Sequence, residues 1–200
     1  MSACTDANRS TPNSSFDSVP RSPRLEALLE ALAARSGAIP PGELAEMLVA
    51  AHLTAADVEP WISFEEDLYG RREIACLPHA DLLVLSWRSG QLTPIHNHRG
   101  SACAFYVVRG ISTEINYRET DSGLLAPSSS TRIAAGEVAA SFDTDTHQMG
   151  NLERPGEDLV TVHCYSPPLT RMEFFGESQT FFRGYEPFLE RSVKRMRSGS

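Results

Sequence analysis

The feature that most restricts how this chain can fold is a succession of short β-prone runs beginning near Leu68. ADLLVLSW, ACAFYVVRG, ISTEINY, GEVAASF and DLVTVHCY are rich in Val, Ile, Phe and Tyr, and clusters of Gly, Pro, Ser and Asn separate them. Branched and aromatic side chains suit a pleated, half-buried surface, and the separating residues are those that turn a chain. Many short strands in series give a barrel or a sandwich. Its interior is expected to take Trp87 and Phe105, and the polar stretch Ser122 to Ser130 is expected to be a loop between strands.

Ahead of the β region the period changes. Leu25, Leu28, Leu29 and Leu32 recur at helical spacing from Pro23, and Leu44, Met47, Leu48 and Ala51 do so after Pro40-Pro41. A third helical piece is predicted over Thr54 to Trp61, with Thr54 as N-cap and Asp57 as the acid of a capping box. Residues 1–22 are rich in Ser, Pro, Asn and Thr and read as a flexible tail, and residues 191–200 as a flexible basic tail. Residues 23–190 then form one domain, consistent with 200 residues of which 41% are apolar. A net charge of -8 argues against a large cationic surface for nucleic acid or anionic lipid. With neither a secretory signal pattern nor a membrane-length apolar run, a cytoplasmic protein is expected, a monomer or weak homo-oligomer. Cys4, Cys76, Cys103 and Cys164 form no C-x-x-C pair and are expected to be reduced, Cys76 and Cys164 as small buried hydrophobes.

His96-Asn97-His98 is the densest cluster of metal-capable residues. On a strand, residues two apart share a face with origins about 6.6 Å apart, so two imidazoles can reach one ion. The spacing around the pair, G-x5-H-x-H-x4-C-x6-G from Gly90 to Gly110, resembles the first cupin motif with Cys103 where a glutamate usually stands. Gly136, Phe142, Thr144, His147 and Asn151 resemble the second motif, G-x5-P-x-G-x2-H-x3-N, with its proline and second glycine replaced. This likeness implies a mainly β, jelly-roll-like cupin barrel with two or three N-terminal helices packed outside, and makes His147 the third ligand. Three neutral imidazoles without a carboxylate leave a divalent ion its full charge and open positions for ligands. Asp143 and Asp145 read as a solvated turn beside the motif. His52 and His79 fall outside both motifs and are read as surface or packing residues.

Cys103 after His-x-His, with His163-Cys-Tyr165-Ser-Pro-Pro further on, resembles the cysteine dioxygenase family. The resemblance implies ferrous iron, Fe(2+), as cofactor and L-cysteine and O2 as substrates, with cysteine sulfinic acid as product. It implies that Cys103 and Tyr165 sit beside the metal and can be joined as a thioether, and that His163 supports Tyr165 through a chain starting at Thr161. Tyr69-Gly70-Arg71 matches the family's Tyr-x-Arg element, so Arg71, with Tyr69, is expected to hold the substrate carboxylate; a guanidinium does this bidentately. Alternation points Arg72 elsewhere. Dioxygenation of 3-mercaptopropionate or cysteamine, a non-catalytic metal-binding cupin and a three-histidine zinc hydrolase are the alternative functions.

Overall fold

A computed structural model of the chain describes residues 19–142, 144–176 and, as backbone, 189–192. Cys4, Asp143 and most of both expected tails lie outside the described residues. Two helices come first, α1 (Pro23–Ala33) and α2 (Pro41–Ala51). Ser22 caps α1 by accepting from the Leu25 amide at 3.3 Å, with Pro23 opening the first turn. The predicted third helix is instead two 3₁₀ turns, Ala55–Asp57 and Glu59–Trp61. Its capping box at Thr54 and Asp57 forms as expected, but Pro60 has no amide to extend a helix. Among the described residues, no helix is long and apolar enough to cross a membrane.

Among the described residues eleven strands follow: β1 Gly70–Cys76, β2 Asp81–Trp87, β3 Ile95–Asn97, β4 Ala102–Arg109, β5 Ile111–Glu119, β6 Leu125–Ala134, β7 Val138–Ser141, β8 His147–Gly150, β9 Leu159–Ser166, β10 Met172–Phe175 and β11 Leu189–Ser192. They form a five-stranded sheet in the order β1-β2-β9-β4-β7 and a six-stranded sheet in the order β11-β10-β3-β8-β5-β6. All pairings are antiparallel except β10 with β11. Most of the stretch expected to be a loop, Ser122 to Ser130, belongs to β6, whose pairing with β5 overrides the weak strand preference of its serines.

The five-stranded sheet is covered on both faces. Leu82, Val84, Ala104, Tyr106, Val160, Val162 and Cys164 pack against the helices. The alternate residues, among them Leu83, Leu85, Trp87, Cys103, Phe105, Leu159 and Tyr165, pack with Met149, Met172 and Phe174 of the other sheet. That double burial explains why β2 and β9 are buried along their whole length. Trp87 and Phe105 lie in the intersheet core as predicted. Cys76 departs from expectation: it ends the edge strand β1, where only one neighbouring strand can cover it, and it is exposed and disulfide-bonded. Cys103 and Cys164 are free and buried.

The motif glycines have a common cause. Gly90, Gly110 and Gly136 all turn the chain at positive φ, between 84° and 91°. At Gly110 a side chain would also strike the backbone of Asp158, because a Cβ would sit 2.6 Å from its carbonyl oxygen.

Candidate metal centre

β3 and β8 are adjacent and antiparallel, with His96 directly opposite His147, and His98 follows just beyond the end of β3. The three rings are buried, with centroids 4.7 to 5.0 Å apart. Their Nε2 atoms converge: 3.2 Å separates His96 from His98, and 3.4 Å separates His147 from His98. Two nitrogens each about 2.1 Å from one ion and near a right angle would be about 3 Å apart, so this spacing fits a shared cation.

The tautomers give an independent test of that fit. His96 Nδ1 lies 2.8 Å from the Pro94 carbonyl, which only accepts, so Nδ1 carries the hydrogen and Nε2 presents a lone pair. His147 Nδ1 lies 2.7 Å from Glu114 Oε1, an arrangement that turns its Nε2 into a lone pair in the same way. His98 sits between them, its Nδ1 buried without a partner. Two lone pairs aimed at a third ring, with at most one proton to share, are satisfied by a cation at their centre. Burial first, then the neighbouring imidazoles, holds His96 and His98 well below the usual histidine range, in the neutral form that binds metal.

Motif residues outside the ligand set brace the site. Asn151 donates to the carbonyls of Trp87 and Glu157, at 3.3 and 2.7 Å, and accepts from the Glu153 amide at 3.0 Å, closing the turn after β8. Asn97, between the two histidines, donates to Glu173 at 2.9 Å and ties β3 to β10. Asp145 accepts from the Phe142 amide at 2.8 Å in an exposed turn, the solvated turn expected there.

The five-stranded sheet supplies the opposite wall of a small pocket that opens on the three imidazoles. Cys103 on β4 and Tyr165 on β9 are directly opposite and both buried, and the Tyr165 ring meets His98 edge-on at 5.2 Å. Burial pushes the Cys103 thiol and the Tyr165 hydroxyl well up, so both keep their protons in the protein alone. His163 joins Thr161 and Tyr165 at 3.0 and 3.3 Å. Arg71 pairs with Leu85 in the β1–β2 register and lines the pocket with Tyr69, which stacks on Trp87 at 3.9 Å. Arg72 points the other way, as expected, and binds Ser63 and Glu65.

Every residue singled out from the sequence for the site, apart from Thr161 behind His163, therefore lines one pocket. Glu114, against His147, was not among them. Its signal was an acidic side chain inside the run ISTEINY, where a nearly buried carboxylate needs a partner. Thr93, Met149, Leu169 and Met172 also line the pocket; as ordinary core-forming residues they carry no signal of their own.

Two sheets over a shared core, with both motif blocks converging on three imidazoles, define a metal-binding cupin. The family model for cysteine dioxygenase type I matches residues 22–178, and the chain belongs to that family, a family of cupin dioxygenase-type enzymes. Among solved structures, similarity extends to a double-stranded β-helix protein from Klebsiella pneumoniae, 17% identical over 60% of this chain and 95% of that one, with a TM-score of 0.47. A cupin from Desulfovibrio desulfuricans is 15% identical over 54% of this chain and 90% of that one, at 0.41. Oxalate oxidase in complex with glycolate is 17% identical over 52% and 53%, at 0.42.

Proposed function

We propose that this chain converts L-cysteine and dioxygen to cysteine sulfinic acid, with ferrous iron held by His96, His98 and His147. The observation that carries the proposal is the Arg71 guanidinium lining the same small pocket as the three imidazoles. A cation site alone would suit many ligands; a cation site with a guanidinium suits a small molecule carrying a metal-binding group at one end and a carboxylate at the other. Iron held by three neutral imidazoles would supply open coordination positions for thiolate, amine and dioxygen, and the redox chemistry that these side chains lack.

The side chains have separable tasks. Arg71 takes the carboxylate in a bidentate pair, and Tyr69, stacked on Trp87, walls that end of the pocket. Tyr165, oriented by His163, donates a hydrogen bond to the bound substrate or to an oxygen beside it. Leu85, Met149, Leu169 and Met172 exclude water from the sulfur. Both oxygen atoms of O2 end on sulfur, which supplies all four electrons, so no external reductant is consumed. The product is the sulfinic rung of thiol oxidation, which is hard to reverse.

The opposition of Cys103 and Tyr165 supports a thioether between Cys103 Sγ and the Tyr165 ring. Forming it removes two hydrogens, one from the thiol and one from the ring, with dioxygen as the two-electron oxidant, reduced to hydrogen peroxide; a faster-migrating band on a denaturing gel, absent in Cys103→Ala, is the expected sign.

Oxygen uptake by the iron-loaded protein, followed together with sulfinate formation, tests the function. Stoichiometric conversion of L-cysteine is expected, with a lower kcat/KM for 3-mercaptopropionate and cysteamine. Preference for either of those would overturn the substrate, and no turnover with any small thiol would overturn the activity.

A further inference from the structure

The inward face of β9 carries a row of polar groups whose far end lies on another strand. Trp87 Nε1 on β2 is 3.0 Å from Thr161 Oγ1, Thr161 Oγ1 is 3.0 Å from His163 Nε2, and His163 Nδ1 is 3.3 Å from the Tyr165 hydroxyl. All four side chains are buried, none more than 6% exposed. Phe105 stacks on the His163 ring at 5.2 Å and 16°, which fixes the plane of the imidazole and leaves only its proton to be placed.

The direction of the row follows from donor chemistry. An indole N–H donates and cannot accept, so Thr161 Oγ1 is the acceptor from Trp87. His163 Nε2 is the other partner of that hydroxyl, so the buried Thr161 hydrogen goes to it. His163 meets two hydroxyls in this row, and burial, with His147 and Arg71 adding to it, holds its pKa down to about 3. A neutral imidazole has one donor and one acceptor; with Nε2 accepting, Nδ1 carries the hydrogen and donates to Tyr165. The hydrogen of Tyr165 must leave in the remaining direction, toward Cys103 and the pocket.

We propose that Trp87 is a positioning residue: its indole N–H fixes the polarity of the row Trp87–Thr161–His163–Tyr165, so that Tyr165 directs its hydrogen into the pocket. The occupant favoured by that polarity is an anionic sulfur or oxygen beside the three imidazoles. A hydroxyl with a rotating hydrogen would be satisfied equally well by a donor, so the row favours an anion at that point of the pocket, which Arg71 also lines. Only the identity of the occupant rests on the function proposed above; the polarity does not.

The test reads the polarity directly. In the metal-free full-length chain, nitrogen-15 NMR of labelled histidine, with His163 assigned from a His163→Gln variant, should show one tautomer with hydrogen on Nδ1. Trp87→Phe keeps a ring against Tyr69 and deletes the donor; it should give a mixture of tautomers. In the iron-loaded enzyme the same variant should lower kcat about tenfold and leave KM within about twofold. Thr161→Ser, which keeps the relay, should match the parent, and Thr161→Val should match Trp87→Phe, with the double variant no worse than either. A single unchanged tautomer in Trp87→Phe, or losses that multiply in the double variant, would overturn the proposal. If Trp87→Phe does not fold, Thr161→Val carries the same test. Absence of thiol turnover beside a tautomer shift would overturn the functional reading and leave the polarity standing.

Discussion

Strand β9 shows two solutions to burial on opposite faces of one backbone. Toward the helices it presents Val160, Val162 and Cys164, which meet Leu82, Val84, Ala104 and Tyr106 in an apolar layer. Toward the other sheet it presents Thr161, His163 and Tyr165, each buried as fully but each hydrogen-bonded. The first face stabilises by removing apolar area from water, is non-directional and tolerates changes of shape. The second gains little net stability, because each bond replaces one to water, but every donor must meet one acceptor. The helix-facing side should therefore govern stability and the inward side activity, with little exchange between them.

The largest departure from that division would come from the metal ligands. His98→Ala should lower turnover by at least about a thousandfold, measured as oxygen uptake, while the melting temperature of the metal-free protein stays within about 5 °C. Loss of the fold would mean that the inward face is structural after all. Leu82→Ala, on the helix side and fully buried, should cost about 3 kcal/mol in denaturant unfolding and leave kcat unchanged. A large fall in kcat would break the comparison from the other direction.

Arg71→Gln sharpens it within the pocket: kcat/KM for L-cysteine should fall about a hundredfold, and that for cysteamine, which has no carboxylate, should hold. Glu114→Gln should weaken metal binding about tenfold or more, read by competition with a chelator, without altering the preference among thiols.

Asp81 gives the smallest effect, and it concerns pH. Burial raises its carboxyl from 3.8 to about 6, against the pull of the Leu169 amide that it accepts. Folding therefore takes up a proton between those values, and the stability this supplies is full below pH 3.8 and lost as pH rises through 6. On the order of 2 kcal/mol is at stake, and Asp81→Asn should flatten the pH dependence of unfolding over that window.

Much of this is legible in the sequence. The β runs, the amphipathic helices and the capping box are local patterns, and His96, His98 and His147 stand in motif spacing that survives the loss of the usual proline and glutamate. Tyr165 and Cys103 were identifiable by resemblance, but their direct opposition is a matter of β4–β9 register that no short stretch encodes. Glu114 and Trp87 were harder for the same reason. Each looks like an ordinary strand residue until a partner distant in sequence, His147 or Thr161, is brought against it. β6 was misread because its serines have weak strand preference and only pairing with β5 decides the matter. Cys76 was misread because exposure at the end of an edge strand depends on which strands are neighbours.

The central claim is that three imidazoles grip one ion, and X-ray absorption at the iron edge of the ferrous-loaded full-length chain tests it most directly. One iron per chain is expected, with three imidazole nitrogens at about 2.1 Å and the signal lost in His98→Ala. Iron held by carboxylates, or iron retained unchanged in that variant, would contradict it.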